Sequence, residues 1–182
     1  VSKRFGPIVQ QGYVAPDIDA AIRHWVARGV GPFFVEHLRG LPAQVDGTRV
    51  TTELKAAFAY SGDQQIEVIQ PLGAAPTIYS EYLAQHPAGG LQHVAFWCED
   101  VAAKVAELEA NGEFRLRQSY GDAHAYLDAT ATPGVMVQLM ARTPQMEGLF
   151  AIIRSAAESW DGATDPVRKI DWSSGSPVIR AA

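Results

Sequence analysis

The feature that most constrains this chain is an internal repeat. Gln10-Gln11-Gly12-Tyr13-Val14-Ala15-Pro16-Asp17 reads as a strand running into an Asp cap, followed by a helical row of Ile18, Ala21, Ile22 and Trp25 and a stop at Gly29. Leu91-Gln92-His93-Val94-Ala95-Phe96-Trp97-Cys98 is again an alternating strand. Asp100 is again a cap, Val101, Val105 and Leu108 form a helical row, and Asn111-Gly112 is a stop. The copies align without a gap at a displacement of 83 positions, which sets Gln10 against His93, Asp17 against Asp100 and Gly29 against Gly112. A period this long exceeds that of solenoid units and reads as a duplicated half-domain, each half being strand, helix and further strands.

The remaining segments fill out that scheme. Phe33 to His37 reads as a second strand, and Arg39 to Arg49, with Gly40, Pro42 and Asp46-Gly47, as a loop. Leu54 to Tyr60 and Gln65 to Gln70 alternate about a tight turn at Ser61-Gly62-Asp63. Thr77 to Gln85 is predicted as a short helix. Phe114 to Ser119, Ala123 to Ala129 and Gly134 to Ala141 are the later strands, Met146 to Trp160 is a helix, and the rest is an irregular tail containing Ser173-Ser174-Gly175 and Pro177. The expected division is 1–75 for the first module, 76–90 for a linker helix and loop, 91–142 for the second module, and 143–182 for a C-terminal helix and tail.

Composition narrows the partners. A net charge of −5 with no basic run argues against nucleic acid or an anionic membrane surface. The lone Cys98 excludes an internal disulfide and a multi-cysteine zinc site. No apolar stretch reaches the length of a membrane span and no signal-peptide core stands at the N-terminus, so a reducing, cytoplasmic setting is the expectation. Within the strands, Glu67 is unusual, since a carboxylate flanked by β-branched residues in a central strand is costly to bury without a partner. The alternative is that Glu67 sits on a solvated sheet face.

Two βαβββ modules, a histidine at the start of the second module's first strand, and polar residues in the last strand of each module resemble the vicinal oxygen chelate superfamily of glyoxalases, bleomycin-resistance proteins and dioxygenases. Ile66-Glu67-Val68-Ile69-Gln70-Pro71-Leu72-Gly73, the helix after it, and Ala88-Gly89-Gly90-Leu91-Gln92-His93 look most like its methylmalonyl-CoA epimerase branch. The resemblance implies an α+β fold in which two tandem modules form a cup-shaped mixed sheet around a central site, with a C-terminal helix added here. It also implies one divalent metal (cobalt, manganese, nickel, zinc or iron), bound by one residue from each of four strands: Gln10, Glu67, His93 and Gln138. Gln10 replaces a more frequent histidine and Gln138 a usual glutamate, so Gln138 can offer an amide oxygen but cannot abstract a proton.

The activity implied is that of a metal-dependent isomerase, epimerase or lyase stabilising the enolate of a carbonyl or acyl-thioester substrate. The base must then lie elsewhere than residue 138. Glu53, two residues from the position that matches the epimerase glutamate, and His124, which shares a strand face with Tyr126 and Asp128, are the candidates beside Glu67. Tyr13, Tyr60, Trp97 and Tyr126 are the expected pocket-lining donors and aromatics. The alternative is a metal-free small-molecule binding protein of the bleomycin-resistance kind, and a ring-cleaving dioxygenase ranks third, because its facial triad needs a second histidine. A homodimer is implied, as is a small-molecule substrate. Arg39, Arg49, Lys55, Arg115 and Arg117 are too scattered to form a clear phosphate cluster.

Overall fold

The computed structural model describes residues 3–131, 134–171 and 178–181. The first half runs β1 (Gln10–Val14), α1 (Ile18–Val26), β2 (Phe33–Val45), β3 (Thr48–Ser61) and β4 (Gln64–Leu72), and α2 (Ile78–Gln85) leads into the second. That half repeats the order with β5 (Gly90–Cys98), α3 (Val101–Ala110), β6 (Phe114–Tyr120), β7 (His124–Ala129) and β8 (Met136–Ala141). The chain continues through α4 (Pro144–Ser159), β9 (Val167–Asp171) and β10 (Val178–Ala181).

Local chemistry accounts for the repeated strand-to-helix turns. Asp17 accepts a hydrogen bond from the Ala20 amide and Asp100 from the Ala103 amide, both at 2.9 Å, so each carboxylate satisfies an amide that the first helical turn leaves without a partner. Past the two helix ends, Gly29 and Gly112 take positive φ angles of 79° and 67°. A side chain in that conformation costs roughly 1–2 kcal/mol, which is why glycine stops both helices.

The strands form one mixed sheet in the order β10-β9-β2-β3-β4-β1-β5-β8-β7-β6. Within each module the first and last strands pair in parallel, β1 with β4 and β5 with β8. The modules meet where β1 runs antiparallel to β5. The sheet then curls until the end of β2 pairs with β6 at Gln44↔Ser119 and Val45↔Gln118, which closes the cup. This is the α+β fold that the sequence predicts. Among the described residues no helix is long and apolar enough to cross a membrane.

Two segments depart from expectation. Residues 39–45 and 48–49, expected as loop, extend the β2–β3 hairpin into a long arm that turns at Asp46-Gly47. Pairing survives a register shift between Leu38 and Leu41, and the tip of the arm finds ladder partners in β6, so its backbone groups are satisfied where a free loop would need water. In the tail, Val167–Asp171 pairs in parallel with Phe33, Phe34 and Val35 and covers the edge of β2. Ser173-Ser174-Gly175 and Pro177 lie outside the described residues.

Each face of the sheet has its own core. On the convex side, Ile18 and Ile22 of α1 pack over Ala57, Ala59, Ile66 and Val68, while Val101, Val105 and Leu108 of α3 pack over Ala125, Leu127 and Leu139. Each isoleucine, leucine or valine among them, when fully buried, contributes roughly 1.5–3 kcal/mol. The concave side is closed by α4, whose Leu149, Phe150 and Ile153 belong to the same cluster as Phe34, Tyr126 and Met140. Arg154 fixes this helix across the β3–β4 turn, donating to Asp63 at 2.7 Å and lying 4.7 Å over the Tyr60 ring.

Candidate active site

The four central strands, β4, β1, β5 and β8, bring Glu67, Gln10, His93 and Gln138 to the floor of the cup. Register places Glu67, Gly12 and His93 in one transverse row, and Gln65, Gln10, Ala95 and Gln138 in the next. All four candidate ligands are buried, with His93 at 0% and Gln10 and Gln138 at 2% exposure. Glu67 is therefore an interior carboxylate, not one on a solvated face. Gly12 separates Glu67 from His93, and because it has no Cβ the imidazole lies across it and meets the carboxylate, with Nε2 to Oε2 at 3.1 Å.

The hydrogen bonds around these groups leave lone pairs facing inward. His93 Nδ1 lies 2.7 Å from Gln92 Oε1, while the Gln92 amide nitrogen points to Met136 Sδ at 3.0 Å. The Gln92 oxygen accepts, so Nδ1 carries a proton, and the approach of Nε2 to the Glu67 carboxylate is attractive only with a proton or a cation between them. Gln10 donates its amide to Gln65 Oε1 at 2.7 Å, and Gln138 donates to Tyr126 Oη at 2.9 Å and meets His124 Nδ1 at 3.2 Å. The remaining oxygens, Gln10 Oε1 and Gln138 Oε1, are buried without a hydrogen-bond partner. Unpaired buried acceptors cost about 1–3 kcal/mol each.

This donor set fits a divalent cation. It offers one carboxylate, one imidazole nitrogen in the ligating tautomer with its other nitrogen hydrogen-bonded, and two amide oxygens that need a positive partner. Among the described residues there is no cluster of three or more His, Cys, Asp and Glu that could hold a metal, as follows from glutamine standing at two of the four positions.

Above the floor lies a cavity of about 620 Å³ with largely apolar walls. His124 and Tyr126 line it from β7, and Tyr126 stands edge-on to His93 with ring centroids 5.2 Å apart. Burial holds the His124 imidazole below its ordinary range, against the opposing pull of Glu67. Burial likewise raises the Tyr79, Tyr120 and Tyr126 hydroxyls, which therefore stay protonated and act as neutral donors.

Other expected residues lie elsewhere. Glu53 alternates to the convex face of β3, where it meets His37 at 2.7 Å and Arg39 at 3.5 Å, and it does not line the cavity. Tyr13 also faces outward, edge-on to Trp25. Tyr60 and Trp97 are on the concave face but lie under α4, against Arg154 and Phe150 respectively, and not on the cavity wall. Conversely, Glu36, Tyr79 and Tyr120 line the cavity and were not among the sequence candidates. Alternation of Phe34, Glu36 and Leu38 was the available signal for Glu36. Nothing in sequence marked the two tyrosines.

A family model described as the glyoxalase/bleomycin resistance protein/dioxygenase superfamily matches residues 9–132. No curated protein matches by sequence. Among solved structures, the chain is similar to methylmalonyl-CoA epimerase from Mycobacterium tuberculosis, with 17% identity, a TM-score of 0.56, and 81% of this chain and 95% of that one covered. A Streptomyces coelicolor methylmalonyl-CoA epimerase variant in complex with 2-nitronate-propionyl-CoA gives 18%, 0.54, and 77% and 96%. A hypothetical protein from Bacillus halodurans C-125 gives 18%, 0.55, and 76% and 96%. At such identities the likeness is one of fold.

Proposed function

This chain belongs to the glyoxalase/bleomycin resistance protein/dioxygenase superfamily, and on that premise we propose that its cavity is the active site of a metal-dependent isomerase, epimerase or lyase working through an enolate. The observation that carries the reading is the gathering of the Glu67 carboxylate and His93 Nε2 with the Gln10 and Gln138 side-chain oxygens, the last two buried with no hydrogen-bond partner. Gln10, Glu67, His93 and Gln138 would hold a divalent cation, which would supply Lewis-acid stabilisation of a substrate oxyanion.

The chain's own residues then divide the remaining work. Gln92 keeps the His93 proton on Nδ1, and Tyr126 and His124 hold the Gln138 amide so that its oxygen points inward. With Nδ1 of His124 receiving the Gln138 amide, a neutral ring carries its hydrogen on Nε2 and can donate a hydrogen bond to a substrate oxygen in the cavity. Glu36 faces the same cavity from β2, in the other module, and serves as the carboxylate that accepts a proton. A carboxylate that takes a proton from carbon and hands the same proton back, beside a hydrogen-bond donor that steadies the oxygen, suits an enolate reaction.

A metal-free binding protein is the second reading, favoured by the largely apolar cavity and by glutamine at two ligand positions. Elemental analysis of the purified protein, and of Glu67→Ala and His93→Ala after reloading with cobalt or manganese, separates the two. Near-stoichiometric metal in the parent, lost in both variants, supports the enolate reading, with solvent deuterium exchange into a carbonyl substrate as the activity to follow. A parent that stays empty after reloading sinks it and leaves the binding protein.

A further inference from the structure

The charge and the walls of the cavity define the class of molecule it admits, an inference that rests on the cavity being the active site. Among the described residues that line it there is no lysine or arginine, whereas two glutamates, Glu36 and Glu67, face inward. A carboxylate or phosphate brought in by a ligand would lose its water without gaining a cationic partner from the wall.

The walls favour another kind of group. Phe58, Tyr79, Tyr126, Met140, Met146 and Phe150 present rings and thioethers, which make good contacts with flat apolar faces. The rim between the β2–β3 arm and the β6–β7 turn is formed by Leu41, Pro42, Gly121 and Ala123, partly or fully exposed and without charge. The volume, about 620 Å³, lies within the span of roughly 300–1,000 Å³ that encloses drug-sized molecules. We propose that the substrate is an uncharged, ring-bearing carbonyl compound that enters whole through this rim, not an acyl group on an anionic thioester carrier.

Calorimetric titration of the purified chain, with and without added manganese, tests this. The probes are 2-acetylnaphthalene, 6-acetyl-2-naphthoate, which adds only a carboxylate, and methylmalonyl-CoA. The neutral ketone should bind at least about tenfold more tightly than the acid, and the thioester no more tightly than the acid. Ala123→Trp, on the exposed rim turn, should weaken the ketone by about tenfold or more. Equal or tighter binding of the acid or the thioester, binding of none of the three, or ketone binding unchanged in Ala123→Trp overturns the inference. Binding is read without turnover. A chain that selects the ketone but exchanges no substrate proton therefore keeps this inference and loses the enolate reading, while proton exchange with the reverse selectivity does the opposite.

Discussion

The imidazole of His93 occupies the space that a side chain on residue 12 would need: a Cβ built on Gly12 falls 1.9 Å from Cε1 and 2.0 Å from Nε2. The contact is made with the body of a ring that Gln92 and Glu67 hold on both sides, so it cannot be relieved by a small rotation. Gly12→Ala should therefore cost about 1–3 kcal/mol in urea unfolding and lower bound metal after reloading. Unchanged stability together with unchanged metal content would show that the ring is free to move.

Gln138→Glu should raise metal affinity by at least about tenfold, because it adds a second anionic ligand to a site with one. Tyr126 and His124 can each turn a proton towards the new carboxylate, so the neighbouring hydrogen bonds can re-form. Without metal the same change brings a second buried carboxylate into the cup and should lower stability. Competition with a chelator reads the first effect and thermal unfolding of the stripped protein the second. Weaker metal binding in Gln138→Glu would remove residue 138 from the ligand set.

Glu53→Gln should leave metal content and any proton-exchange activity within about twofold of the parent, since the carboxylate pairs with His37 and Arg39 away from the cavity. Glu36→Gln should lower that exchange by about a hundredfold or more while metal content is kept. The reverse pattern, activity lost with Glu53 and kept without Glu36, would move the base to the convex face.

Arg117 joins three elements to β6: its guanidinium meets Asp46 at the β2–β3 turn at 2.9 Å, Glu81 of α2 at 2.6 Å and Asp128 of β7 at 2.6 Å. Arg117→Ala leaves those three carboxylates near one another without their shared cation. It should cost about 1–2 kcal/mol, and the loss should shrink at high salt because the carboxylates are partly exposed. Urea unfolding at low and at molar salt checks both the size and the trend.

Much of the fold was legible because it rests on local chemistry that repeats. Asp17 and Asp100 cap helices as read, and the alternation in β1, β4, β5 and β8 carries Gln10, Glu67, His93 and Gln138 to a common floor. What was not legible depends on partners distant in sequence. The arm at residues 39–45 is a strand because β3 and β6 supply its ladder, and β9 is a strand because the edge of β2 is open to it. Strand faces were readable, but depth along a strand was not. Tyr60 and Trp97 share the concave face with the site, yet they lie where α4 descends, so they pack against that helix and not against a ligand. Alternation sets Glu36 on one face with Phe34 and Leu38, but whether that face meets water or a cup depends on the distant β2–β6 closure.

The seam between β1 and β5 divides the four candidate ligands evenly, Gln10 and Glu67 on one side and His93 and Gln138 on the other. Two separate half-length chains meeting across a twofold axis would have to present each residue twice, and any change at one position would alter both sides together. Covalent fusion removes that bond between the copies. Glutamine can then stand opposite histidine, and glutamate opposite glutamine, so that one flank carries the charge and the other the imidazole. An asymmetric molecule bound on the pseudo-axis thus meets two chemically different sides, where an exact twofold site would offer it two equivalent orientations.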